Sequence, residues 1–392
     1  MRRIDDRERR ARLALRHHLA PRAVASDSVR VADELVGVHA TDPASVYLGL
    51  RARVRGLEQE AVAHELYEAR SLVRIIGMRR ALFVVPLELA GVLTASCARA
   101  VAAAERTRLH RMLSEAGITS DPRPWLRAVE AETMAALEAA GQATATELTA
   151  VVPGLREQIP FGAGKRWQGQ VGVSTRVLFL LSMEGRIVRA RPRGTWLSSQ
   201  YRWAPVDRWV GRAFPDRPTD DSRVDLVRRW LLAFGPGTIT DLRWWTGWTL
   251  GEVRRALAGV DTAEVELEDG GSALVLADDL EPAPDVEPWA ALLPTLDTTI
   301  MGWNERAWYL GPYGPALFDS NGNAGPTVWW DGRVVGGWGQ RQNGEVVVRL
   351  LEDVGAEGAA AIDAEAARLD AWLGRVRVTP RFRTPLETEL GA

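Results

Sequence analysis

Lysine is almost absent from this chain: of its 49 basic residues, 48 are arginines and only Lys165 is a lysine. Any chemistry that needs a lysine nucleophile is thereby confined to one position. Cysteine is equally scarce, and Cys97 alone can build neither an intrachain disulfide nor a cysteine-based zinc site. Apart from His39, the histidines (His17, His18, His64 and His110) lack ligand-spaced partners, so no metal is expected and surface positions are expected for them. Gly162-Ala163-Gly164-Lys165 has neither the spacing nor the Ser/Thr of a P-loop, which argues against nucleotide hydrolysis and leaves no cofactor expected. No uninterrupted apolar run approaches the ~20 residues of a membrane span. The charged stretch Met1 to Arg10 lacks the apolar centre of a signal peptide. A cytoplasmic protein without membrane contact is the expectation.

What is present is ordinary in amount and uneven in place. The 392 residues, 46% hydrophobic and 26% charged, are enough for two to four globular modules. The net charge of −2 conceals a division: residues 1–210 carry 32 basic against 22 acidic residues, and residues 211–392 carry 17 against 29. A basic half is the electrostatic footprint expected on a polyanion, though a solvated surface has the same composition.

The order of elements is more specific. Helical periodicity near 7–19, 29–38, 44–53 and 58–68 gives way to two short β-rich runs, 72–76 and 81–85, around Gly77-Met78-Arg79-Arg80. Helices followed by a hairpin is the order of a winged helix. It returns with helices near 125–139, 145–151 and 175–184 and strands near 186–189 and 196–203. It returns again at 224–234, where Gly247 breaks one helix, Thr249 caps the next, and strands 265–267 and 273–276 flank an Asp269-Gly270-Gly271 turn. From about Leu292 the chain becomes rich in Trp, Gly and Asn. It predicts an antiparallel β unit closed by a helix at 359–373, with a last short strand at 375–378. The fold class is therefore α+β: three tandem winged-helix modules (1–110, 111–215, 216–290) followed by a β-rich C-terminal unit (291–392).

The most informative stretch is Gly37-Val38-His39-Ala40-Thr41-Asp42-Pro43-Ala44-Ser45, followed by Tyr47 to Arg53. With Ser71-Leu72-Val73-Arg74, Met78-Arg79, Leu292-Leu293-Pro294, Asp297, Met301 to Arg306 and the block from Asn323 to Trp338, it resembles the AlkZ/YcaQ-type DNA glycosylases over nearly the whole chain. That family's core segment usually reads Gly-Leu-Gln-Ala-Gln-Asp-Pro, its two glutamines positioning the water that cleaves the N-glycosidic bond. His39 and Thr41 stand here in their places. The resemblance implies a C-shaped arrangement of winged helices around duplex DNA. It also implies removal of N-alkylated purines, bulky adducts and interstrand crosslinks included, in repair or in self-resistance to a genotoxin, by a monomer at the nucleoid.

The chemistry is compatible with that implication. A purine alkylated at N7 or N3 is cationic and leaves neutral, so the enzyme supplies a held water and stabilisation of an oxocarbenium-like sugar rather than a general acid. An imidazole of ordinary pKa ~6.5 can hold or deprotonate water, and a threonine hydroxyl can extend the hydrogen-bond chain. His39, Thr41 and Asp42 are thus the candidate catalytic residues. Asp42 is read first as an N-cap and second as electrostatic support for the sugar cation. Arg74, Arg79, Arg80, Lys165, Arg166 and Arg306 are the candidate phosphate contacts. Trp167, Trp196 and Trp303 are the tryptophans considered for stacking on a base or sugar. With one lysine available, a monofunctional enzyme is expected. The alternative is a non-catalytic winged-helix protein that regulates transcription or sequesters lesions.

Overall fold

The computed structural model describes residues 1–162 and 168–392; Lys165, Arg166 and Trp167 lie outside the described residues. In the first unit, helices Asp6–Arg16, Ser28–Glu34, Pro43–Arg51 and Gln59–Tyr67 precede the hairpin Leu72–Ile76 and Leu82–Pro86. Polar residues set the helix starts: Asp5, Asp27 and Asp42 each accept a first-turn backbone N–H. Pro43 at the first helical position matches its fixed φ to the helix and wastes no donor.

One topological detail repeats through the molecule. In the first unit a short extended piece ahead of a helix, Val38–His39, pairs with the second hairpin strand, Val38 opposite Val84 and His39 opposite Phe83. In the second unit Ala143–Thr144 precedes the helix Ala145–Val151 and pairs in the same way with Tyr201–Pro205. In the third, Gly237 precedes the helix Ile239–Thr246 and exchanges both backbone hydrogen bonds with Leu274 of Ser272–Leu276. Three helix-and-hairpin units built to one plan make up residues up to about 276, and the mixed content is α+β.

Several elements differ from the sequence expectation. The third sheet is completed by the N-terminus, where Arg2–Ile4 runs parallel to Thr262–Leu267. The hairpin of the second unit is Ile187–Pro192 with Tyr201–Pro205, not 196–203. Residues between its strands fold over the first unit instead, Trp196 packing 4.6 Å from Tyr47 and donating to Gln59 Oε1 at 2.8 Å. A hairpin, Gln158–Phe161 with Gly169–Gly172, adds to the second unit. The helical run Leu87–Glu115 is by composition long and apolar enough to cross a membrane, but more than half of its most apolar stretch is buried within the protein, where it joins the first two units.

The C-terminal unit is a four-stranded antiparallel meander: Ala290–Leu293, Thr327–Trp330, Arg333–Gln340 and Val346–Leu350. Helix Gly355–Leu373 packs on it, close to the expected 359–373. The expected strand at 375–378 does not form, because Val378 donates its N–H to the Gln340 side chain at 2.8 Å rather than to a neighbouring strand. The inner face of this unit, with Leu292, Val328, Val335 and Trp338, forms one apolar cluster with Ala44 and Leu48 of helix Pro43–Arg51. The helix that follows the catalytic-candidate segment therefore rests on residues almost 300 positions away.

Candidate active site

His39 ends a two-residue strand and its backbone is held on both sides. Its N–H donates to Thr298 Oγ1 at 3.1 Å, and that hydroxyl donates to Gly37 O at 3.1 Å. Ala40 N–H donates to Leu82 O at 2.7 Å, and Leu82 N–H donates to the Thr41 hydroxyl at 3.1 Å. The Thr41 N–H donates to His39 Nδ1 at 3.4 Å, so the ring proton sits on Nε2. The ring stands edge-on to Phe83 with centroids 5.0 Å apart. Nε2 makes no hydrogen bond among the described residues, and neither does the Thr41 hydroxyl proton. His39 and Thr41 thus share one hydrogen bond and each retains a donor.

Burial, and then the nearby Arg79 charge, depresses the His39 imidazole to about 3. At neutral pH the ring is uncharged, but a base whose conjugate acid titrates near 3 is too weak to take a proton from water, and its unprotonated Nδ1 already accepts the Thr41 N–H, so holding a water by hydrogen bond remains. A neutral ring also suits a cationic base, which an imidazolium would repel. Asp42 is buried; Oδ1 accepts the Ala44 N–H at 3.0 Å and Oδ2 the Arg381 N–H at 2.7 Å. Burial pushes its carboxyl up while those two N–H groups oppose the shift. Both oxygens serve the helix start and the C-terminal segment, which is the N-cap reading.

Beneath the segment lies a network that the sequence hinted at only through Arg53 and Asp297. Arg53, 1% exposed, forks onto both Asp297 oxygens at 2.9 and 2.7 Å and also donates to Gly49 O and Thr299 Oγ1, each at 2.7 Å. Thr299 Oγ1 in turn meets His17 Nδ1 at 2.8 Å, leaving His17 Nε2–H to donate to Ala233 O at 3.1 Å. His17 is not at the surface as expected; it is fully buried, and burial followed by the Arg53 charge holds its pKa well below the ordinary value. His18 is likewise buried. Of the tryptophans considered for stacking, Trp303 is only 2% exposed and donates to Phe234 O at 3.0 Å, so it is a core residue.

A neutral buried histidine in the fold that protonates on unfolding has a definite sign. For His17 and His39 that contribution is complete above the unfolded pKa of ~6.5 and is lost as pH falls below that value, at about 1.4 kcal/mol per pH unit for each of the two. Denaturant midpoints measured from pH 7 down to 5.5 should fall accordingly. His39→Gln should flatten the slope, and an unchanged slope would mean that His39 already titrates normally in the fold.

The arginines separate into distinct settings. Arg74 is buried, 2% exposed, with Nη1 3.3 Å from the Tyr67 hydroxyl and its guanidinium 4.6 Å from the Tyr201 ring centroid. It is an interior residue rather than a wing-surface one, because β-strand Leu72–Ile76 is enclosed on both faces. Arg80 is exposed and paired with Glu105 at 2.9 Å. Arg79 and Arg306 each place a guanidinium over the Trp244 ring, and no motif in the sequence singles that tryptophan out.

With this geometry in place, relatives can be compared. The family described as DNA glycosylase AlkZ-like matches residues 32–372. The chain belongs to the AlkZ-like DNA glycosylase family. The solved structure of Streptomyces sahachiroi DNA glycosylase AlkZ is similar in fold, with a TM-score of 0.73 at 23% sequence identity, covering 96% of this chain and 99% of that one. No curated protein matches. DNA is the substrate class of the family, and the concentration of polar groups around His39 lies within the matched residues.

Proposed function

We propose that the protein hydrolyses the N-glycosidic bond of cationic N-alkylated purines in duplex DNA, bulky adducts included, and releases the base without cutting the strand. The observation that carries this reading is the pair of uncommitted donors, His39 Nε2–H and the Thr41 hydroxyl, on a segment whose backbone is fixed by Thr298 and Leu82. They can hold one water without adding charge, which is what departure of an already cationic base requires. Asp42 keeps the helix start in place, and Arg79 and Arg306 supply charge for the DNA backbone.

The single lysine supports a monofunctional course, since Schiff-base chemistry by a lysine has one candidate, Lys165. Incubating the purified protein with a 7-methylguanine duplex should release free base and leave an alkali-labile abasic site. Borohydride present during the reaction should trap no protein–DNA adduct; a trapped adduct abolished by Lys165→Ala would overturn the monofunctional part. Tight, salt-dependent binding with no base released from any alkylpurine duplex would instead identify a lesion-binding protein.

A further inference from the structure

Trp244, half-buried on helix Ile239–Thr246, carries two guanidinium groups from widely separated parts of the chain. The Arg79 guanidinium carbon lies 3.9 Å from its ring centroid and that of Arg306 4.8 Å. Cation–π contact favours each arginine singly, but two like charges on one indole oppose each other. Among the described residues neither has a carboxylate within ion-pair distance. Arg306 instead lies 4.9 Å from the Phe318 ring centroid and makes two long bonds of 3.4 Å, to Asn304 O and Ile300 O. Neighbouring Arg80, by contrast, is matched to Glu105.

The placement of Arg79 is also enforced against backbone preference. Arg79 has φ 51 and ψ 30, and Arg80 follows with φ 62, so two consecutive non-glycine residues occupy the left-handed region. The turn is docked against the end of helix Ile239–Thr246, where a Cβ on Gly247 would come within 3.2 Å of Arg79 Cγ. A Cβ on Gly77, at the start of this turn, would come within 3.1 Å of the Phe83 ring that packs edge-on to His39, and the Arg79 charge helps keep the His39 ring neutral. A bare guanidinium pair there would oppose both a cationic base and an oxocarbenium-like sugar. An oxyanion between the two removes that opposition, and the planar guanidinium fork matches phosphate geometry.

We propose that Arg79 and Arg306, ordered on Trp244, clamp a single backbone phosphate of the bound DNA strand beside His39, and that Trp244 is a positioning residue acting through them. The proposal rests on the DNA glycosylase reading and names the part of the duplex these residues take. Trp244 touches neither base nor sugar in this scheme; its effect is on where two charges sit.

The test uses the full chain and a duplex carrying a tetrahydrofuran abasic analogue, with Kd measured across a salt series and base release followed separately on a 7-methylguanine duplex. Each phosphate neutralised contributes about 0.9 to the slope of log K against log salt. The double variant Arg79→Ala/Arg306→Ala should therefore lose about 0.9 of slope, not twice that, because both arginines serve one phosphate. Trp244→Leu should weaken binding roughly tenfold and lose a similar slope, whereas Trp244→Phe, which keeps a ring, should retain both. Trp244→Leu added to the double arginine variant should cost nothing more. A slope loss near two in the double variant, a wild-type slope in Trp244→Leu, or additive losses in the triple variant would each overturn the clamp. The arginine variants keep the test decisive if Trp244→Leu fails to fold. Loss of the slope in variants of a protein that releases no base would keep the clamp and remove the glycosylase reading; a wild-type protein that does not bind the duplex would remove both.

Discussion

Asp297→Ala is expected to lower the unfolding free energy by about 3–5 kcal/mol, the cost of leaving a buried charge without its partner. Arg53 is 1% exposed, and its fork onto Asp297 is made at 2.7 and 2.9 Å. Asp297 also accepts the Thr299 N–H at 2.9 Å, so its loss orphans a backbone donor as well as a guanidinium. Arg53 cannot neutralise itself by losing a proton, which leaves disruption of the site as the only response. The damage should reach activity, because Asp297 adjoins Thr298, the residue that holds the His39 backbone. Equilibrium denaturation at pH 7 measures the first effect and base release at a temperature where the variant stays folded measures the second. The double variant Arg53→Met/Asp297→Leu should recover much of the stability, since apolar residues of similar volume replace buried ion pairs at little or no cost. A loss below about 1 kcal/mol in Asp297→Ala would mean that water reaches the pair and that the network is not what fixes the segment.

What was legible in the sequence follows a physical pattern. Local signals were sound: Asp42-Pro43 starts a helix, Gly247 ends one and Thr249 caps the next through a capping box with Glu252. Those signals depend on residues a few positions apart. Contacts that close the molecule do not, and they were missed. Arg2–Ile4 has no periodicity of its own and becomes a strand only because the edge of Thr262–Leu267 is available. Arg74 reads as a surface charge on a hairpin, yet Tyr67 and Tyr201 enclose it, and Tyr201 lies 127 residues further on. The depressed His39 pKa was equally invisible, since burial comes from tertiary packing. The His39/Thr41 motif could be found in the sequence; the neutrality that decides what it can do could not.

That neutrality makes the second large prediction specific. His39→Ala should reduce single-turnover release of 7-methylguanine by about 10²–10³, the scale found when one positioned hydrogen-bond donor is removed from a reaction centre. His39→Gln should restore most of the rate, because an amide offers a donor and an acceptor without charge, as Nε2–H and Nδ1 do now. Thr41→Ala should cost less than His39→Ala, since the Thr41 oxygen is already engaged by Leu82 N–H and only its proton is free for water. The pH profile separates the two roles open to an imidazole. A ring held near 3 stays neutral from pH 5 to 8, so the rate should be flat there. A general base of ordinary pKa would lose activity below ~6.5 as it protonates. A rate that falls through that range in the wild type but not in His39→Gln would assign His39 to proton abstraction and remove the water-holding role. Unchanged release in His39→Ala would remove the residue from the mechanism altogether.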